Sequence, residues 1–155
     1  MSRLRILGIG SPSGDDQAGW LVVDALAALG VHARNNVVID KLGRPGVQRL
    51  ALLENADWVI LVDAMQGDGR PGQVQRFDRK DWPACREGLS SHDLGVIDAL
   101  LLARVLGKLA ARLDLYGITI GPENPGQSVH GAVMAAAAQL ARRIADELIA
   151  PLRQA

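Results

Sequence analysis

The sequence predicts an α/β domain of three layers, with a mostly parallel, five-stranded sheet between helices. Three observations carry that expectation. Residues 4–19 read as an apolar strand, a glycine-rich turn and the start of a helix. The run Trp58-Val-Ile-Leu-Val-Asp63 stays apolar until it stops on a carboxylate, the pattern of a central strand covered on both faces. The elements then follow one another as β-α-β-α-β-β-α-β-α, the alternation that builds parallel sheets.

The first strand is the run Leu4 to Ile9, and Gly8, Gly10, Ser11, Pro12, Ser13 and Gly14 break it. Ala18, Leu21, Val22, Ala25, Leu26 and Leu29 repeat at helical spacing, and Gly30 supplies a stop. Val37, Val38 and Ile39 predict a short second strand ending on Asp40. After the turn residues Gly43, Pro45 and Gly46, a second helix carries Val47, Leu50, Ala51 and Leu53 on its apolar side.

The third strand ends at Asp63. A tight link, 66–72, leads into Gln73–Phe77, a weaker strand pattern. So short a link predicts an antiparallel edge strand, because parallel pairing needs a long crossover. Residues 78–91 form the least regular loop. Ser90-Ser91-His92-Asp93 opens a third helix with Leu94, Ile97, Leu101 and Val105. Leu113 to Ile120 is the fifth strand. A Pro/Gly-rich loop, 121–126, precedes a final helix from Val129 to Ile149, whose Ala132, Ala135, Ala136 and Ala138 are expected to pack close against the sheet.

Composition narrows the function classes. The 155 residues suit one domain, 1–155. Hydrophobic residues make up 48% and aromatic ones 3%, so Leu, Val, Ile and Ala build the core. Seventeen Lys and Arg balance seventeen Asp and Glu, which argues against nucleic acid or an anionic membrane held by bulk charge. Cys85 is the single cysteine, so no intramolecular disulfide or thiolate metal cluster forms. The apolar stretch near the start is shorter than a signal peptide, and no stretch approaches a membrane span. A cytoplasmic protein is expected.

Ligand sites in open α/β sheets lie beyond the carboxyl ends of the strands, and the carboxylates of this chain cluster in sequence there. A dinucleotide loop at Gly8 and Gly10 fits poorly. The third glycine of that fingerprint falls on Ser13, Pro12 removes an N–H that would face phosphate, and Asp15 and Asp16 add negative charge. A cation suits this turn better. One aspartate suffices to cap the helix, so Asp15 is assigned to capping and Asp16 to function. Asp63 ends the third strand and His92 opens the third helix. Two carboxylates and one imidazole form a mixed oxygen and nitrogen set with open positions, suited to a borderline divalent ion such as nickel or zinc. A helix N-terminus favours the neutral, metal-binding imidazole.

Each residue also has a local alternative: Asp63 bonding the next turn, His92 within a capping sequence. Asp40 ends a strand in a supporting role, whereas His32 and His130 are weaker candidates, the latter with no carboxylate nearby in sequence. There is no Gly-x-Ser-x-Gly elbow, His-Glu-x-x-His pair or P-loop. Cys85 has no partner in sequence that would make it a nucleophile.

Leu-Gly-Ile-Gly-Ser-Pro-Ser-Gly-Asp-Asp-Gln-Ala-Gly (7–19) resembles the opening motif of the hydrogenase maturation proteases. The resemblance continues through Asp40 and Gly43, Val-Ile-Leu-Val-Asp-Ala (59–64), Pro71-Gly72, Ser91-His92 with Leu94, Gly95 and Asp98, and Tyr116-Gly117-Ile118. It implies an endopeptidase that trims the C-terminal extension from the large-subunit precursor of a nickel–iron hydrogenase. It also implies that Asp16, Asp63 and His92 engage nickel. That nickel is carried by the substrate, with no tightly bound resting cofactor. The expected partner is the precursor, met by a monomer, with no nucleic acid and no membrane.

Three positions depart from the family pattern. Ser11 stands where Asn is common, and Asp16 where some relatives carry Glu. Asp-Lys-Leu-Gly-Arg-Pro-Gly (40–46) replaces Asp-Gly-Gly-Thr-x-Gly, a change that bears on the partner rather than the chemistry. The sequence leaves open whether the metal acts as Lewis acid or an aspartate as general base. It also leaves two alternatives: a non-catalytic nickel-binding scaffold with the same ligands, and a Rossmann-type nucleotide-binding domain.

Overall fold

The computed structural model describes residues 3–12, 14–31, 36–43, 56–65, 70–77, 107, 110–121 and 129–149. In chain order these form β1 (Leu4–Gly10), a 3₁₀ turn (Gly14–Gln17), α1 (Ala18–Ala28), β2 (Val37–Gly43), β3 (Trp58–Met65), β4 (Val74–Phe77), β5 (Arg112–Thr119) and α2 (Gly131–Arg143). The last helix continues as a π-helical segment, Ile144–Ile149. The second and third helices expected from the sequence lie outside the described residues, as do His32, Cys85 and His92.

The five strands form one sheet in the order β2-β1-β3-β5-β4. All neighbours are parallel except β4, which runs antiparallel to β5 on the edge. That is the mostly parallel α/β sheet expected, with the short fourth strand in its expected place. All eight residues of β3 are buried, so its two faces are both covered, as in the middle layer of three. On one face Leu4, Ile6, Ile60, Val62 and Ile118 join Val22 and Leu26 of α1 and Val133, Ala137 and Leu140 of α2 in a single core. Leu7, Ile9, Val59 and Leu61 alternate onto the other face and are also buried.

Two sequence-based expectations change. Val37–Ile39 is only the start of β2, which runs to Gly43 because β1 pairs with it in register from Leu4↔Val37 to Gly10↔Gly43. Asp40 is therefore an exposed mid-strand residue. The inward face of α2 is Val133, Ala136, Ala137, Leu140 and Ala141. Ala132, Ala135 and Ala138 are exposed, and α2 packs chiefly on α1.

Gly8 and Gly19 allow β1 and α1 to touch. A Cβ on Gly8 would overlap the Gly19 carbonyl oxygen, and one on Gly19 would overlap the carbonyl oxygens of Ile9 and Val62. Helix–strand contact, and not a phosphate loop, is what these glycines provide. Gly30 closes α1 with φ +79°, the left-handed cap that glycine adopts without strain.

Candidate active site

The strand order fixes where a site can form. The chain moves from β1 outward to β2, then crosses back to β3 on the other side of β1. The carboxyl ends of β1 and β3 therefore flank the topological switch point, the crevice in which open α/β sheets bind ligands. Asp16 lies in the 3₁₀ turn that follows β1, and that turn packs on both β1 and β3. Asp63 is on β3, paired in register with Gly117 of β5. The two carboxylates chosen from the sequence are thus carried by two elements that pack together at this switch point.

Asp63 is not the last residue of its strand. β3 continues through Ala64 and Met65, and Asp63 is wholly buried. Its side chain alternates onto the face turned away from α1, with Val59 and Leu61. Its Oδ1 accepts a hydrogen bond from the Ala64 N–H at 2.8 Å. Burial of a carboxylate is costly unless it is paired or hydrogen-bonded.

Asp16 is half-buried. Ser11 Oγ donates to its Oδ2 at 3.4 Å, and the Ser11 N–H donates to its main-chain oxygen at 3.1 Å. The chain therefore folds back on itself between the end of β1 and Asp16. Among the described residues no three His, Cys, Asp or Glu side chains form a metal-binding group. His92, the third residue of the sequence-based set, lies outside them.

Asp15 does something the sequence did not suggest. The residue at the N-cap of α1, Gln17, makes no side-chain capping bond. Asp15 reaches instead across the fold. Its carboxylate accepts the Gly121 N–H at 3.1 Å and the His130 N–H at 2.7 Å, and its Oδ2 lies 2.6 Å from His130 Nδ1. Burial alone would raise its pKa. The backbone hydrogen bonds from His130 and Gly121, with the His130 ring, outweigh burial and hold it below the usual carboxylate value. His130 had no carboxylate near it in sequence; folding supplies one.

Beside the crevice, the Trp20 indole N–H donates to the Leu42 carbonyl at 3.0 Å. Lys41 pairs with Asp24 at 2.8 Å and lies 5.9 Å from the Trp20 ring centroid. The bulky pair Lys41-Leu42, which departs from the family pattern, is thereby tied to α1 at the carboxyl end of β2.

The fold and the residues at this crevice define an α/β protein with a mostly parallel sheet and aspartates at its switch point. Residues 21–147 match the family model described as hydrogenase maturation protease. The chain is 29% identical over 119 residues to the hydrogenase 2 maturation protease of Escherichia coli (strain K12), covering 75% of this chain and 72% of that one. It is 29% identical over 135 residues to the hydrogenase expression/formation protein HupD of Rhodobacter capsulatus, covering 84% of this chain and 64% of that one. The fold matches a [NiFe] hydrogenase maturation protease HycI from Thermococcus kodakarensis KOD1 with TM-score 0.72 and 28% identity, over 95% of this chain and 92% of that one. The chain belongs to the hydrogenase maturation protease family. It is accordingly a protease of hydrogenase maturation.

Proposed function

We propose that this protein, acting as a monomer in the cytoplasm, cleaves the C-terminal extension from the large-subunit precursor of a nickel–iron hydrogenase after nickel has been inserted. Asp16, Asp63 and His92 engage the nickel that the precursor carries. The observation that supports this most is the packing of the turn that carries Asp16 against β3, the strand that carries Asp63, at the β1/β3 switch point in a chain of this family.

The chemistry follows from the donor types. Two carboxylates supply hard oxygen donors and an imidazole supplies nitrogen, a set suited to a borderline divalent ion with open positions. Holding the precursor through its metal brings the scissile peptide to the strand ends. Proximity of this kind converts an encounter into an intramolecular step. Hydrolysis then proceeds with the carbonyl or a water polarised at the metal, or with one aspartate taking the proton of the attacking water.

The test is a cleavage assay on nickel-loaded and nickel-free forms of the cognate large-subunit precursor, read as the mass of the large subunit. Loss of a C-terminal peptide from the nickel-loaded form alone is the expected result. Cleavage of neither form would favour a metal-binding scaffold.

A further inference from the structure

Asp16 lies on a single turn of 3₁₀ helix at the switch point, Gly14–Gln17, a short element whose own hydrogen-bond geometry is poorer than that of an α-helix. Its neighbour Asp15 is 9% exposed and uses both carboxylate oxygens on three donors from two other parts of the chain. Gly121 N–H donates to Oδ2, His130 N–H to Oδ1, and His130 Nδ1 lies 2.6 Å from Oδ2. The His130 ring also closes over Gly121, where an added Cβ would lie 2.8 Å from ring Cε1. Ile120, next to Gly121, donates its N–H to the Met65 carbonyl at 2.9 Å. Met65 is the last residue of β3, the strand that carries Asp63. Two hydrogen bonds joined through the Ile120–Gly121 peptide therefore connect the turn bearing Asp16 to the strand bearing Asp63, and Asp15 makes the first of them.

We propose that Asp15 is a positioning residue for the cleavage reaction, its carboxylate clamped by Gly121 and His130 so that Asp16 is held in fixed relation to Asp63. Capping α2 alone requires one carboxylate oxygen on a backbone N–H. The bonds to Gly121 and to the His130 ring go beyond that requirement, and the one to Gly121 ties the turn to the segment just after β5, whose Ile120 N–H bonds β3 at Met65. His130 acts only through Asp15. Groups that orient ligand residues without touching the metal are worth ~10–100-fold in activity or metal affinity.

This inference rests on the proposed function, and the experiment separates the two. Wild type, Asp16→Ala, Asp15→Ala, His130→Ala and the Asp15→Ala/His130→Ala double variant are assayed on nickel-loaded precursor. Amide spectra of ¹⁵N-labelled wild type and His130→Ala are recorded alongside. The clamp predicts that Asp15→Ala lowers kcat ~10–100-fold with KM within about 2-fold. His130→Ala lowers kcat by a smaller factor, and the double variant is no worse than Asp15→Ala, because the two residues act as one unit. In the spectra, His130→Ala, remote from Asp16 in sequence and half exposed, displaces the amide resonances of Gly14 to Gln17. Wild-type kcat in Asp15→Ala, or losses that multiply in the double variant, would overturn the clamp while leaving the cleavage function intact. If Asp15→Ala fails to fold, His130→Ala decides: a kcat at the wild-type value with unmoved turn resonances overturns the proposal. If wild type cuts no precursor, the functional reading falls, and the spectra alone decide the clamp.

Discussion

The Trp58 indole N–H donates to Asp114 Oδ2 at 2.7 Å, joining the starts of β3 and β5 at the end of the sheet remote from the switch point. Arg76 Nε reaches Asp114 Oδ1 at 2.9 Å from the antiparallel edge strand, and Arg112 Nε reaches Oδ2 at 3.1 Å. The Arg112 guanidinium also stacks 3.9 Å above the Trp58 ring. One buried carboxylate thus ties β3, β4 and β5 together.

Asp114→Ala is expected to destabilise the fold by about 1–3 kcal/mol, because the buried Trp58 N–H loses its acceptor. Asp114→Asn keeps one acceptor and is expected to cost less. Both arginines are about half exposed, so water solvates them when the carboxylate is gone. Urea unfolding with an unchanged m-value measures the loss. Cleavage by the folded variants should match wild type, since this cluster is at the opposite end of β3 from Asp63.

The same carboxylate makes stability depend on acid. Burial pushes the Asp114 pKa up, but hydrogen bonds from Arg76 and Trp58 and the charges of Arg112 and Arg76 outweigh it, so the net shift is below the usual value of 3.8. A folded-state pKa lowered in this way gives stability that is complete above the unfolded value. That stability is lost as pH falls through the lower folded value. Unfolding free energy measured across the acid range should therefore fall less steeply in Asp114→Asn than in wild type.

Asp16→Ala, Asp63→Asn and His92→Ala are each expected to reduce precursor cleavage at least ~100-fold, the scale of losing one group that stabilises developing charge in a hydrolytic transition state. Asp16→Glu should retain part of the activity. Circular dichroism and melting of His92→Ala should match wild type. Cleavage by His92→Ala at the wild-type rate would remove it from the site.

A protease that reads metal in its substrate should bind free nickel weakly. Calorimetric titration of the purified protein is expected to show no stoichiometric nickel uptake near neutral pH. A scaffold with a preformed three-ligand site would bind tightly and release protons.

Two contacts beside the crevice should differ in weight. Trp20→Phe removes the hydrogen bond to the Leu42 carbonyl and should cost about 0.5–1.5 kcal/mol. Lys41→Ala removes an ion pair whose two side chains are 43% and 59% exposed, and should cost less than about 1 kcal/mol. Thermal melting of the two variants side by side checks the ranking.

Periodicity and turn chemistry by themselves determined the five strands, the first and last helices, the mostly parallel sheet with its antiparallel edge, and the placement of Asp16 and Asp63 after β1 and on β3. Those features are local: an apolar run of strand length or a helical repeat is written in consecutive residues. Tertiary structure decided what depends on distant partners. β2 extends past Ile39 to Gly43 because β1 is there to pair with it. The buried side of α2 is set by α1, not by the richest run of alanines. Asp15 serves Gly121 and His130 instead of its own helix, and Asp114, unremarked within an apolar strand, finds Trp58 and two arginines. A carboxylate's partners are fixed by which chain segments folding brings within hydrogen-bond reach, and no local pattern encodes them. The switch point itself belongs to both levels, since the sequence set the strands and the crossing order of the folded sheet made them meet.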